Sequence, residues 1–331
     1  MTAAGEPDVL QLLNVQRPEL HTDTEVLIRL KAAGVNPIDT KLRSRGTFFP
    51  DQMPAILGCD GAGVVEVVGR GVQRVSPGDE VYFCQGGLGD RPGTYAEWAV
   101  VDERWLARKP QRLSFVEAAA APLVLITAWE ALYDRARLQP GQRVLIHAGA
   151  GGVGHVAIQL AVLQGASVAT TVSSPAKAEF VRQLGAECII NYRETNFVTA
   201  ILDWTEGAGV DVAFDTVGGA TLSQSFEAVQ IYGDLVTILD ADPATNWKLA
   251  RTRNQRISFE LMLTPMLKNL LDEQMAQVKI LEQCARLIDA GKLHIHCDRT
   301  FPLAQAAAAH RTLAAGGFLG KLALDLEAPS P

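Results

Sequence analysis

The segment Val144-Leu145-Ile146-His147-Ala148-Gly149-Ala150-Gly151-Gly152-Val153-Gly154 constrains this chain more than any other. An apolar run leads into a G-x-G-x-x-G pattern on Gly149, Gly151 and Gly154. A helix-length stretch at 153–164 and a strand-like run at 167–172 follow. Set between a strand and a helix, with a second strand after it, such a pattern has the context that a dinucleotide site requires. Glycines let the backbone turn sharply and come close to a pyrophosphate. The helix N-terminus adds free N–H groups and the positive end of its dipole. Gly149, Gly151, Gly152, Val153 and Gly154 are therefore the predicted phosphate contacts. The competing reading is a glycine-rich turn that holds no ligand.

The surroundings agree with the loop. From about 120 to 290, strand-like runs at 143–147, 167–172, 188–190, 210–214, 234–239 and 257–261 alternate with helix-length stretches. That alternation predicts βαβ units and a doubly wound parallel sheet. Gly165 and Gly185 stand where a helix should stop before the next strand. From about 5 to 110 the pattern differs, with short apolar runs separated by Pro77-Gly78-Asp79 and Arg91-Pro92-Gly93, as in an all-β region with tight turns. After 292 come a strand-like 293–297, an Ala-rich helix ended by Gly316-Gly317 and a last strand at 321–326. This tail is too short to stand alone and is predicted to pack on the first region. The domains so read are 1–119 with 292–331, and 120–291. Only the Ala-Pro-Ser-Pro end has the composition of disorder.

Composition excludes other classes. The 331 residues carry 30 Lys and Arg against 37 Asp and Glu, a net charge of −7, so a nucleic-acid partner is not expected. No apolar run reaches the length of a membrane span. The first 15 residues lack a basic and then apolar leader pattern. The five cysteines show no C-x-x-C spacing. An odd, scattered set argues against a disulfide framework and for a reducing cytoplasm.

An NAD site would place an acid about 20 residues beyond the glycine loop to hold the ribose 2′-hydroxyl. Ser173 and Ser174 stand there instead, with Lys177 close by. Hydroxyls and a cation suit a phosphate dianion, and the missing acid would repel one. The prediction is NADPH. The serines are also suited simply to capping the helix that Pro175 opens.

Several further motifs carry a family resemblance. Ala32-Ala33-Gly34-Val35-Asn36-Pro37-Ile38-Asp39-Thr40 with Arg43-Ser44, Gly58-Cys59-Asp60-Gly61-Ala62-Gly63-Val64-Val65, Pro77-Gly78-Asp79-Glu80-Val81, Gly93-Thr94-Tyr95-Ala96-Glu97 and Thr127-Ala128 stand in this order ahead of the glycine loop. They resemble the zinc-independent quinone oxidoreductase, or ζ-crystallin-like, branch of the medium-chain dehydrogenase/reductase superfamily. The resemblance implies a GroES-like β-barrel catalytic domain plus a Rossmann domain, and a homodimer or homotetramer formed through the Rossmann sheet edge at 257–261. Further cofactor contacts implied by position are Tyr192 with neighbouring Arg193, Val217 in Asp215-Thr216-Val217-Gly218, and Phe318 and Lys321 in Phe318-Leu319-Gly320-Lys321.

The same resemblance bears on metal. Where the alcohol dehydrogenases of the superfamily hold catalytic zinc with Cys and His, this chain has Asn36 and Cys59. The cysteine-rich stretch that holds their structural zinc is missing. A zinc site needs about three protein ligands even when open, so no metal is expected. His294 and His296 would share one face if 293–297 were a strand, although a pair of surface histidines accounts for them equally well.

Without a Lewis acid, the reaction expected is hydride transfer to an acceptor that takes it readily: a quinone, or an alkene conjugated to a carbonyl. Asn36 and Thr127 match the family's polar residues near nicotinamide and the substrate oxygen; local backbone bonding is the plainer role for each. The pocket tyrosines common in the family are replaced by Lys41 and by Phe48-Phe49. Lys41 becomes a third catalytic candidate if a dry pocket lowers its pKa. The alternative is a solvated surface lysine. An enoyl-thioester or 2-alkenal reductase and a non-catalytic NADPH sensor are the competing functions.

Overall fold

The computed structural model describes residues 1–328, so the Pro-Ser-Pro end singled out by composition lies outside the described residues. In chain order the strands are β1 (Glu25–Val35), β2 (Asp60–Val68), β3 (Glu80–Cys84), β4 (Trp98–Asp102), β5 (Ala107–Arg108), β6 (Arg143–Ile146), β7 (Ser167–Val172), β8 (Cys188–Asn191), β9 (Val210–Asp215), β10 (Val229–Thr237), β11 (Arg256–Phe259), β12 (Cys297–Pro302) and β13 (Lys321–Asp325). They form two sheets in two compact units. Unit 1 holds residues 1–123 and 263–328, and unit 2 holds 124–262.

Unit 1 is the GroES-like β domain. Its sheet runs β12-β13-β1-β2-β3-β5, and β4 also pairs with β1. The long β1 makes this possible by pairing with three partners, β2, β4 and β13, all antiparallel. Val26, Ile28 and Leu30 alternate along it and meet Val65, Val81, Phe83, Val101 and Trp105 in one core. The small run Ala32-Ala33-Gly34 has a steric cause. A Cβ on Gly34 would lie 2.4 Å from the carbonyl oxygen of Ala119, so the short helix Phe115–Ala119 can lie against the strand.

Unit 2 is the Rossmann sheet. Its strands run β11-β10-β9-β6-β7-β8, and every pairing is parallel. The core gathers Leu145, Ala169, Ile201, Ala213, Phe226 and Leu235. The winding reverses at β6, so the carboxyl end of β6 is the switch point where such sheets take ligands. The glycine loop begins there. Gly165 and Gly185 stop their helices as expected, with φ of 84° and 101°.

Two details differ from the sequence reading. Residues 263–291 belong to unit 1, not to the Rossmann region. The helix Leu271–Asp289 lies on unit 1, where Tyr82 Oη donates to Leu281 O at 2.6 Å and Arg112 N to Asp289 Oδ1 at 3.1 Å. Periodicity shows that such a helix is amphipathic but not which sheet it covers. The strand predicted at 293–297 begins only at Cys297, so His294 and His296 are not side-by-side strand residues; His296 sits 3.8 Å from Asp298 instead. The chain between β10 and β11 contains the helix Trp247–Thr252. There Arg253 donates to Val229 O at 2.8 Å and Arg256 makes a two-point contact with Asp234. Among the described residues no helix is long and apolar enough to cross a membrane.

Candidate functional site

In unit 2 the predicted phosphate loop is shaped by close contacts. Ala148 adopts φ 50°, a left-handed conformation that a non-glycine residue holds only when its surroundings fix it. Its N–H donates to Thr171 Oγ1 at 3.0 Å, Gly149 N donates to Thr171 O at 3.1 Å, and Gly151 N returns to Ala148 O at 2.9 Å. The three motif glycines then differ in purpose. A Cβ on Gly149 would lie 2.1 Å from Thr170 Oγ1, and one on Gly154 would lie 2.4 Å from Ala148 O. These two let strand, loop and helix close on one another. A Cβ on Gly151 would meet only Ala148 O, at 3.2 Å. The space beyond it is open, at the N-terminus of the helix Gly152–Leu163. An anion can approach the backbone there, so the loop fits a pyrophosphate.

The flanking predictions take their places within unit 2. Ser174 caps the helix Pro175–Gln183 by accepting from Lys177 N at 3.3 Å, while Ser173 stands half-buried just past β7. Tyr192 is exposed beyond β8, and its N–H donates to Val172 O at 3.1 Å. Val217 is also exposed, past the end of β9. Its loop is tied down by Asp215 Oδ1, which accepts from the N–H groups of Val217 and Gly218 at 2.9 Å each. The other Asp215 oxygen accepts from Thr237 Oγ1 at 2.9 Å. Thr127 is buried on the helix Pro122–Trp129.

Sequence reasoning did not find Thr171, Ser225 and Asp215 as framework residues. Their signal was faint: hydroxyls and one acid at strand ends or inside a helix. His147 lies in the run that leads into the loop. It is buried, and burial pushes its imidazole down to about 4, the nearby Asp215 carboxylate opposing that shift.

Unit 1 gathers a second constellation at the end of β1. Asn36, Asp39, Asp60 and Lys321 are all buried. Asn36 Nδ2 donates to Asp60 Oδ2 at 2.9 Å and Asn36 N to Asp39 Oδ2 at 2.8 Å. Lys321 Nζ donates to Val35 O at 3.1 Å and to Asn36 Oδ1. Asp60 Oδ1 accepts from Leu123 N at 3.0 Å. Tyr95 Oη donates to Asp39 Oδ2 at 3.2 Å and lies 3.1 Å from His310 Nε2. Burial raises Asp39 to about 7, with the Asp60 carboxylate adding to it and Lys321 and the hydrogen bonds opposing it. Lys321 is lowered by the same burial against the pull of Asp60 and Asp39.

Two predicted site residues are placed differently from expectation. Lys41 is exposed on the helix Pro37–Arg45, so the dry environment that would have made it a proton donor is not there. Lys321 was expected to reach the nucleotide, but its ammonium is spent inside unit 1 on Val35 and Asn36. A lysine at the start of a strand carries no sequence sign of which way its amine turns. Phe318, half-buried, packs in a cluster with Val35, Ala309 and Leu322.

The positions where relatives hold zinc are committed elsewhere. The Asn36 carboxamide is gripped at both ends. The Cys59 thiol is pushed well up, first by burial and then by the Asp39 and Asp60 carboxylates, which disfavours the thiolate that a metal needs. Among the described residues no group of three or more His, Cys, Asp or Glu side chains is arranged to hold a metal.

Comparison with known proteins settles the family. Residues 22–111 match the alcohol dehydrogenase GroES-like domain, and residues 184–324 match the family described as zinc-binding dehydrogenase. The quinone oxidoreductase of Pseudomonas aeruginosa is 35% identical over 97% of both chains. This chain belongs to the medium-chain dehydrogenase/reductase superfamily. It is an oxidoreductase, as the resemblance implied. The 2-haloacrylate reductase of a Burkholderia species is 32% identical over 91% of this chain and 90% of its own. Among solved structures, the Escherichia coli quinone oxidoreductase complexed with NADPH superposes with a TM-score of 0.87 at 29% identity, covering 98% of each chain.

Proposed function

We propose that this protein is an NADPH-dependent, zinc-independent reductase of quinones or carbonyl-conjugated alkenes, with unit 2 as the nucleotide domain and unit 1 as the catalytic one. The observation that carries the reading is the open backbone at Gly151 on a helix N-terminus, followed after β7 by Ser173 and Ser174 where an NAD site would have an acid. The solved Escherichia coli relative with NADPH supports the same cofactor.

In this reading Gly149, Gly151, Gly152, Val153 and Gly154 hold the pyrophosphate. Ser173, Ser174 and Lys177 receive the 2′-phosphate, and Tyr192 and Val217 line the nucleotide. NADPH, when bound, supplies a hydride. The protein orients the acceptor and stabilises the charge that develops on its oxygen. Asn36 is the candidate donor: its carbonyl accepts from the Lys321 ammonium and one N–H donates to Asp60, which leaves one N–H uncommitted. Thr127 is the second candidate. Each is buried within its own unit. Solvent or a ribose hydroxyl completes the reaction by giving a proton to the reduced acceptor.

Zinc-independence rests on the donor set at Asn36 and Cys59. A homodimer is supported by β11, an edge strand followed by the exposed Leu261, with Phe259 exposed on it and Ile231 and Tyr232 exposed on adjacent β10. Five free thiols fit the cytoplasm. The 2-haloacrylate reductase relative favours an activated alkene as the second substrate class.

The test is nucleotide oxidation with a quinone panel against an enone and enoyl-thioester panel, using NADPH and NADH. Turnover of quinones or enones with NADPH supports the proposal. NADPH binding without oxidation by any acceptor would refute it.

A further inference from the structure

His147 is the last residue before the glycine loop, and its hydrogen bonds run to three elements of unit 2. Its N–H donates to Phe214 O on β9 at 3.0 Å. Its carbonyl accepts from Thr216 Oγ1 at 2.7 Å, which ties it to the Val217 loop. Its ring lies 2.9 Å from Ser225 Oγ through Nε2 and 3.3 Å from Thr171 Oγ1 through Nδ1. Phe197 packs edge-on against the ring at 4.8 Å.

The proton positions follow from counting donors. Ser225 has one hydroxyl proton, and it goes to Thr221 O at 2.7 Å. Ser225 Oγ must therefore accept from His147, so the proton is on Nε2. Nδ1 is then an acceptor and takes the Thr171 hydroxyl proton. Thr171 Oγ1 in turn accepts the N–H of Ala148, the residue held at φ 50°. Donation runs one way, from Ala148 N–H through Thr171, His147 and Ser225 to Thr221 O, and it starts on the backbone that opens the glycine loop.

We propose that His147 is a positioning residue of the nucleotide site: as a neutral imidazole with its proton on Nε2, it fixes the Thr171 hydroxyl, which fixes Ala148 and the phosphate-binding turn after it. The proposal rests on the reading of this loop as a dinucleotide site. It requires no contact between the buried ring and the ligand.

Replacement of the ring separates this role from packing. Asn at 147 keeps an acceptor near the position of Nδ1, Gln keeps a donor near the position of Nε2, and Leu keeps neither. NADPH affinity is measured by fluorescence titration, with folding checked by circular dichroism. His147→Leu is expected to weaken binding about tenfold or more and His147→Gln nearly as much. His147→Asn should stay within about threefold of wild type. Thr171→Val, which removes only the linking hydroxyl, should match His147→Leu and carries the test if the leucine variant does not fold. Folded His147→Leu or Thr171→Val protein with wild-type affinity would overturn the proposal. So would a ranking in which Gln or Leu exceeds Asn. If those variants and wild type all bind NADPH alike, the nucleotide site stands and only the role of His147 falls. If wild type binds neither NADPH nor NADH, both fall.

Discussion

The Cα of Gly154 faces the carbonyl oxygen of Ala148 so closely that a methyl group between them would sit 2.4 Å from that oxygen and 2.7 Å from Gly149 Cα. Both obstacles are backbone, and neither has room to retreat from a close-packed turn. Gly154→Ala should therefore cost stability, on the order of 2–3 kcal/mol as for other overpacked sites. Gly151→Ala meets only Ala148 O at 3.2 Å, and Gly151 has φ −85°, which any residue adopts. It should melt close to wild type yet lose NADPH affinity about tenfold, because the new methyl fills the space proposed for the pyrophosphate. Thermal unfolding and nucleotide titration of the two variants check this. An equal loss of stability in both would show that the loop has no open face.

Much of this site was legible because its chemistry is written in backbone and spacing. The glycine loop, the alternation of strand and helix around it and the absent acid after β7 all follow from local pattern. What stayed hidden depends on where side chains turn in three dimensions. Lys321 and Lys41 look equally available in sequence, yet one is buried on Asn36 and the other is in water. The helix Leu271–Asp289 carries a sound amphipathic pattern, but only packing decides that Tyr82 of unit 1 bonds to its Leu281 carbonyl. The hydroxyls of Thr171 and Ser225 are ordinary in a strand and a helix until His147 lies between them.

Coenzyme choice gives a second prediction. Ser173 stands at the end of β7, where an acid would hold a ribose hydroxyl. If Ser173 receives the 2′-phosphate as proposed, Ser173→Asp sets a carboxylate against it and should lower the NADPH-over-NADH preference at least tenfold, chiefly by rejecting NADPH. Steady-state kinetics with both coenzymes measure it. An unchanged ratio would move the phosphate site elsewhere.

Asp39 makes stability depend on pH in an unusual direction. Its pKa is about 7 in the folded chain against 3.8 ordinarily. The folded state thus keeps its proton where the unfolded chain has lost it. Its contribution is fully present below about 3.8, falls as pH rises through that window and levels off above about 7. The full span is on the order of 4 kcal/mol. Asp39→Asn resembles the protonated acid, so its stability relative to wild type should improve between pH 4 and pH 7. Urea unfolding at pH 5 and pH 8 reads the difference, and parallel pH curves for the two proteins would refute it.

His310 should act on the acid side. Its pKa is lowered from 6.5 to about 4 by burial, with the Arg43 cation adding to the effect, so the folded chain resists protonation that the unfolded chain accepts. The neutral ring stabilises fully above about pH 6.5, and that stabilisation is lost as pH falls toward 4, on the order of 3 kcal/mol in all. Because Tyr95 Oη gives its proton to Asp39, its oxygen accepts from His310 Nε2–H. His310→Gln can keep that donor and cannot titrate. The variant should lose less stability than wild type between pH 6.5 and pH 4.5. His147, lowered to about 4 as well, is unchanged in the variant and leaves it a remaining acid slope. Denaturant midpoints across this range test the claim, and an acid slope as steep in the variant as in wild type would show that His310 is not a source of it.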